Sequence, residues 1–215
     1  MPLYTRTGDH GTTGTLAGRV PKDDLQVAAM GALDTLHAYL AVVFEEGMRT
    51  PHLVPGLSKI LQSDLPLVMH DLLDLGTHVS ALTPPHTSGS LWQYWVMPPQ
   101  DPSTMVLRTP KYLFTAKYMP VDTMEDSIDA MEASTPALSN FILHTGTALT
   151  AYVHVARTSA RAAEAAVVAF LHQAEEVAEH DQVLLTYLNR LSDYLFALAR
   201  LCTHSQDGLE TVHLC

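Results

Sequence analysis

The sequence predicts an all-α protein: a five-helix bundle interrupted once by a long irregular insertion. Three observations carry that prediction. Apolar residues recur at helical spacing through residues 25–46, 55–82 and 121–138. Two further stretches, 146–176 and 183–202, are apolar nearly all round, as helices buried among neighbours are. Between them and the first two helices, Pro84, Pro85, Pro98, Pro99, Pro102, Pro110 and Pro120 shut helix out of one interval. The chain has 215 residues, 47% of them hydrophobic, enough to bury one large core. We read residues 1–215 as a single helical-bundle domain with an N-terminal loop (1–20), an insertion (83–120) and a tail (203–215).

Charge and cysteines narrow the functional classes. A net charge of -11 with 12 Lys plus Arg argues against a nucleic-acid or anionic-membrane surface. Cys202 and Cys215 make no disulfide framework, so a reducing compartment is expected. No run approaching the ~20 apolar residues of a membrane span is read here, and no signal peptide is expected ahead of the first motif.

Residues 4–18 read YTRTGDHGTTGTLAG, with Gly8, Gly11, Gly14 and Gly18 among threonines, beside Arg6 and Asp9. Glycines let backbone N–H groups approach a phosphate, and hydroxyls add donors. No Lys-Ser/Thr pair follows the glycines, so this is not a Walker loop. A flexible loop is the plainer reading of these residues taken alone. The first helix is expected after Lys22, with Asp23 or Asp24 as N-cap, running to Glu46 on Val27, Met30, Leu33, Leu36, Leu40 and Val43, with Asp34 beside that face. The second is expected from Pro55 to Leu82, kinked or divided by Pro66. His70, Asp74 and His78 share one of its faces; two turns is a long reach for one metal ion, so a solvated polar face is expected.

Short β-prone runs at 91–97 and 104–116, with Trp92, Tyr94 and Trp95, suggest a hairpin within the insertion, read as a cover over apolar surface. A third helix is expected over Val121–Leu138 on Met124, Ile128 and Met131. In the fourth, Arg157, Arg161 and Glu164 fall on one stripe, with His154 beside them. In the fifth, Leu184, Leu188, Leu191, Leu195, Leu198 and Cys202 form a packing seam. Asn189, Asp193, Phe196 and Arg200 form its second, mostly polar stripe. The junction is expected near His180–Asp181, and the tail from Thr203 is expected to fray. Charges on buried helices are costly unless paired. The stripes therefore imply structural ion pairs, an anionic ligand, or both; their concentration in the least polar part of the chain favours a site.

Taken in order, YTRTGDHGTTGTLAGRVPKDD, GALDTLHAYL, HDLLDLGTHVS, IDAMEASTPALSNFIL, HVARTSARAAE and YLNRLSDYLFALAR resemble the PduO-type ATP:cob(I)alamin (corrinoid) adenosyltransferases. The resemblance covers most of the chain outside residues 83–120 and the tail. It implies a five-helix bundle assembling as a homotrimer, with ATP, Mg²⁺ and a corrinoid meeting at subunit interfaces. Cobalt(I) attacks the 5′ carbon of ATP and triphosphate departs. The nucleophile is thus the reduced corrinoid, and the protein supplies position and charge. By position, Thr5, Arg6, Thr7, Gly8, Asp9, Gly11, Thr12 and Thr13 would wrap the phosphates, with Lys22 near them. Arg161 would contact phosphate, Glu164 would help hold Mg²⁺ or nucleotide, and Asn189 would reach the nucleotide. Arg157 would pair with Asp34 of a neighbouring subunit. Phe141 would lie under the corrin ring, with Asp193 and Phe196 near the corrinoid or the interface.

The chain departs from that pattern in places. Gly14-Thr15 stands for serine-leucine, His144-Thr145-Gly146 for Pro-Gly-Gly, Arg161-Ala162-Ala163-Glu164-Ala165 for a richer Arg/Glu run, and Asp34-Thr35-Leu36-His37 for Asp-Glu-Leu-Asn. The resemblance therefore implies a divergent but active transferase, with a non-catalytic corrinoid carrier of the same fold as the alternative. His144 beside the corrin loop is read as a surface histidine rather than a cobalt ligand. A ferritin-like metal bundle would need two Glu-x-x-His motifs; only Glu210–His213 is present, in the tail. A reductase and an adenosylcobalamin-dependent acceptor enzyme are the implied partners, with no nucleic acid and no membrane. The implied compartment is the cytoplasm, or a mitochondrial matrix.

Overall fold

The computed structural model describes residues 4–82, 113–173, 179–206 and 208–213. A short hairpin, β1 (Thr12–Gly14) and β2 (Arg19–Pro21), precedes α1 (Leu25–Arg49). Next comes one continuous rod: α2 (Pro55–Lys59), a π-helical turn (Ile60–Asp64) and α3 (Leu65–Ala81). α4 (Val121–Ala133), α5 (Ala148–Leu171) and α6 (Glu179–Ser205) complete five helical rods. α5 lies between α1 and α6, α3 packs on α1, and α4 packs on α6.

Local chemistry accounts for the boundaries. Asp24 caps α1, its carboxylate accepting the Gln26 N–H at 2.8 Å. Thr147 caps α5 by accepting the Thr150 N–H at 3.2 Å. Pro66 cannot donate to the turn before it and its ring crowds that turn. The rod absorbs this by widening: the Leu65 N–H reaches back to the Ile60 carbonyl, a π-type bond. Pro66 thus swells the helix rather than dividing it.

The predicted seam of α6 is the centre of the core. Leu184, Leu188, Leu191, Leu195, Leu198 and Cys202 are all fully buried, facing Val153, Ala156, Ala160, Ala163 and Val167 of α5. Alanines at helical spacing on α5 let its neighbours approach closely. α1 contributes Leu33, Leu36, Leu40 and Val43, as its spacing predicts.

Several expectations are corrected. α5 and α6 are not buried all round: Arg161, Asn189 and Asp193 are exposed in the chain, and only Arg200 of the striped charges is buried. α4 ends at Ala133, short of Leu138. α6 already includes Asp181, so the junction lies before His180. His78 is no solvated face residue. It is fully buried, its Nε2 lies 2.8 Å from Asp181 Oδ1, and the Phe114 N–H donates to its Nδ1 at 3.1 Å. With Nδ1 occupied as an acceptor, the ring proton is on Nε2 and points at the carboxylate. Nor is the tail frayed: the Leu143 N–H donates to Thr211 O and the His213 N–H to Phe141 O, both at 2.8 Å.

Of the insertion, residues 83–112 lie outside the described set, and with them the predicted strand at 91–97 and most of that at 104–116. Residues 113–120 contain no strand. They return to the bundle as irregular chain, with Ala116 at a positive φ of 47°, burying Phe114, Ala116 and Met119. Fully buried Asp71 anchors that return, accepting the N–H groups of Tyr118 (3.1 Å) and Met119 (2.7 Å) and the Tyr187 hydroxyl (3.4 Å).

α1 is also the one helix among the described residues long and apolar enough to cross a membrane, with a mean hydropathy of 1.6 over its best window. The sequence reading found no such run. In the structure one face of α1 is core, and Tyr39 and Val42 are left on the other.

Candidate functional site

The Gly/Thr segment folds into a compact hairpin rather than a loose loop. Thr12 pairs with Pro21, Thr13 with Val20 and Gly14 with Arg19. Gly11 and Gly18 adopt positive φ (79° and 145°), which the hairpin's tight corners require. The hairpin docks on the end of α3 through Ser80: the Leu16 N–H donates to its hydroxyl and the Ala17 N–H to its carbonyl, each at 3.0 Å. Val20 seals the contact as the buried residue of the hairpin. Beneath it, the Gln26 amide donates to the Val79 and Leu82 carbonyls, both at 2.8 Å, tying the root of α1 to the same end of the bundle.

Arg19 is spent internally: its guanidinium donates to Thr7 O and to Thr12 Oγ1. Lys22 is not. A Cβ on Gly8 would stand 3.4 Å from Lys22 Nζ and 3.2 Å from Thr12 O, so glycine at position 8 lets the ammonium fold over the loop. Neither Lys22 nor Arg6 has an acidic partner among the described residues; Arg6 instead lies 5.4 Å over the Tyr4 ring. Two cations and a row of threonines are thereby offered to solvent, which suits a polyphosphate.

The second half of the site is on α5 and α6. Asn189 donates to Glu164 Oε1 at 3.2 Å, so these two predicted residues meet across the helix pair, next to exposed Arg161. Arg157, a turn earlier, donates to His144 Nε2 at 2.9 Å and sits 5.8 Å over the Phe196 ring. His144 stacks on buried His154 with centroids 4.5 Å apart. Burial first, then neighbouring His144 and Arg157, hold the His154 pKa down to about 4. Burial and Arg161 also lower that of Arg157. The Arg157 Nε and His154 Nδ1 are buried without a hydrogen-bond partner.

Other predicted residues stand apart. Asp193 is bound to Arg190 (3.5 Å), which also holds Glu125 (2.7 Å). Phe141 is 84% exposed on the loop before α5, in a position to meet a large apolar surface. Asp34 is exposed and has no ion-pair partner among the described residues. Buried Arg200 is structural: it binds Glu210 at 2.7 and 3.2 Å and Pro136 O at 2.6 Å. That pairing also uses the acid of the Glu-x-x-His pair, and no cluster of three or more metal-binding side chains occurs among the described residues. Sequence reasoning missed Asp71, the pairing of His78 with Asp181 and that of Glu210 with Arg200. For Asp71 the available signal was an acid within an otherwise apolar helix face.

No hydrogen bond or ion pair among the described residues joins the hairpin to Arg157, Arg161, Glu164 or Asn189.

A helical bundle, a Gly/Thr hairpin carrying Lys22 and Arg6, and an outward Arg/Glu/Asn stripe make up a helical protein whose polar groups suit an anionic ligand. Comparison with known proteins makes this specific. The chain belongs to the cobalamin adenosyltransferase family, whose profile matches residues 3–202. It is 34% identical to the corrinoid adenosyltransferase of Bacillus subtilis over 99% of this chain and 91% of that protein. It is 30% identical to the corrinoid adenosyltransferase of Homo sapiens over 99% of this chain and 73% of that one. Among solved structures it is similar to a variant of the PduO-type ATP:corrinoid adenosyltransferase of Lactobacillus reuteri complexed with cobalamin and ATP (TM-score 0.73, 27% identity, 99% and 96% of the two chains). A second variant of that enzyme with the same ligands gives a TM-score of 0.71 at 26% identity, covering 100% of both chains.

Proposed function

We propose that this protein transfers the 5′-deoxyadenosyl group of ATP to the cobalt of cob(I)alamin or a related corrinoid, releasing triphosphate. The observation that carries the reading is the presence, in a chain of this family, of both Lys22 without an acidic partner among the described residues, folded over Gly8, and the outward Arg161–Glu164–Asn189 group. The attacking atom belongs to the corrinoid. The chain's own work is to hold the polyphosphate and offset charge on it as it leaves. Hairpin N–H groups, threonines and Lys22 would cradle the phosphates, Arg161 would meet the departing end, and Asn189 would steady Glu164. Phe141 would provide the apolar surface under the corrin.

Mg²⁺ favours one or two carboxylates completed by phosphates and water. Glu164 fits that requirement: it is a single half-buried carboxylate, one oxygen already oriented by Asn189. It would hold the ion only together with the nucleotide, where the ion's chemistry is to neutralise phosphate charge.

We take the working form to be a homotrimer, with residues 1–215 acting as one catalytic domain. Among the described residues no hydrogen bond or ion pair joins the two half-sites and Asp34 has no ion-pair partner, which supports this, as do the unpartnered Arg157 Nε and Tyr39, Val42, Tyr152 and Val155 exposed on α1 and α5. In that assembly Arg157 would pair with Asp34 of a neighbour. A donor that keeps cobalt reduced and an enzyme that accepts the product are the partners this chemistry needs. Buried, free Cys202 suits a reducing compartment such as the cytoplasm.

Anaerobic mixing of the protein with cob(I)alamin, ATP and Mg²⁺ should give the spectrum of adenosylcobalamin. Corrinoid binding with no conversion would leave a carrier of the same fold, and neither binding nor conversion would remove the assignment.

A further inference from the structure

The loop 141–146 is fastened from two sides. The tail holds it through Leu143 N–H to Thr211 O, His213 N–H to Phe141 O, and Thr145 Oγ1 to Thr211 Oγ1 at 3.0 Å. At its far end Gly146, at φ 136°, lies so close to α6 that a Cβ would stand 2.9 Å from Thr203 Oγ1. Between these anchors His144 turns its ring onto α5, stacking on His154 and accepting a hydrogen bond from Arg157 at 2.9 Å. Guanidinium nitrogens only donate, so the His144 nitrogen facing Arg157 carries no proton. This is the one hydrogen bond Arg157 makes among the described residues. Its Nε remains buried and unpartnered, and its Cζ lies 5.8 Å from the centre of the Phe196 ring. A rotamer-rich side chain with a single acceptor and one aromatic ring nearby takes its orientation chiefly from that acceptor.

We propose that His144 is a positioning residue for Arg157, its unprotonated nitrogen fixing the guanidinium so that the remaining N–H groups face the reacting nucleotide and the adjoining subunit. The inference rests on the transferase reading above. It assigns a role to the histidine at which this chain departs from Pro-Gly-Gly. His144 also links the loop that carries Phe141 to the arginine stripe of α5, so one side chain spans the corrinoid-facing and nucleotide-facing parts of the site.

Two substitutions separate the acceptor from the stack. His144→Gln keeps an acceptor near the same place and loses most of the ring contact. His144→Phe keeps the stack on His154 and loses the acceptor. We expect H144F to lower kcat about tenfold with KM for ATP within about twofold, as for loss of one charge-assisted hydrogen bond that matters in the transition state. We expect H144Q to stay within about twofold of the parent. The second readout needs no turnover: ¹⁵N relaxation of the Arg157 Nε–H group should report an ordered side chain in the parent and H144Q and a mobile one in H144F. Parental kinetics and an equally ordered Arg157 in H144F overturn the proposal. An inactive parent whose Arg157 still loosens in H144F removes the transferase reading and leaves the positioning role standing.

Discussion

Replacing Asp71 with alanine tests the packing argument most directly. Its carboxylate is wholly inaccessible and accepts the N–H groups of Tyr118 and Met119, with the Tyr187 hydroxyl a longer third contact. Removing it strands two main-chain donors at the point where the chain re-enters the core. Each orphaned buried donor costs about 1–3 kcal/mol. Because the Tyr118 N–H is only partly buried, we take a total of about 4 kcal/mol. For a domain of this size each kcal/mol is worth roughly 2–4 °C, so Asp71→Ala should melt about 8–16 °C lower. Differential scanning calorimetry on both proteins at one concentration measures this. Asp71 is remote from the hairpin and the α5 stripe, so kcat at 25 °C should be unchanged. A drop below about 3 °C would mean the two donors find other partners, and the anchoring argument would fail.

Further outcomes follow from the same geometry. Arg161→Ala should lower adenosyl transfer about 100-fold, the scale for losing one charge-stabilising donor, while its melting temperature stays within about 2 °C because the side chain is exposed. His154, whose folded pKa of about 4 lies below its ordinary value of 6.5, binds fewer protons in the native than in the unfolded state. Its contribution to stability is therefore complete above pH 6.5 and is lost as pH falls toward 4; urea titrations of His154→Phe should show a shallower loss across that window. Burial raises Glu210, but the Arg200 and His204 contacts outweigh it and leave its pKa below the usual value. That stabilisation is present above the ordinary carboxylate range and disappears as pH drops through the lowered value, so Glu210→Gln should flatten the acid limb of a melting-temperature profile. The Cys202 thiol, pushed up to about 12 by burial, should resist iodoacetamide at pH 8 when its peptide is mapped, and react once the protein is unfolded in urea.

The helices were legible because their signals are local and repeat. The leucine seam of α6 and the spacing of α1 each state a face several times over, and both faces are core. What the sequence hid were one-off contacts between distant segments. Asp71 and His78 look like ordinary polar residues of α3 until residues 113–119 and Asp181 are laid against them. Glu210 reads as a tail residue until Arg200 is found beside it. The misjudged feature was exposure. Apolar composition nearly all round α5 and α6 predicts burial, whereas Tyr152, Val155 and Arg161 remain on the surface of the single chain. Site residues were legible in kind but not in arrangement: Glu164 and Asn189 meet, Arg157 binds His144, and no hydrogen bond or ion pair among the described residues ties the hairpin to them.

The way Thr211 and His213 lace back to Phe141 and Leu143 has a practical bearing on handling the protein. Purification handles and fluorescent fusions are commonly appended on the carboxyl side, and residues 211–213 brace the loop that carries the exposed Phe141 ring. A label attached after His213 loads the Phe141–Leu143 loop through two main-chain bonds, one to each residue, so a sluggish preparation should first be compared with an amino-terminally labelled one.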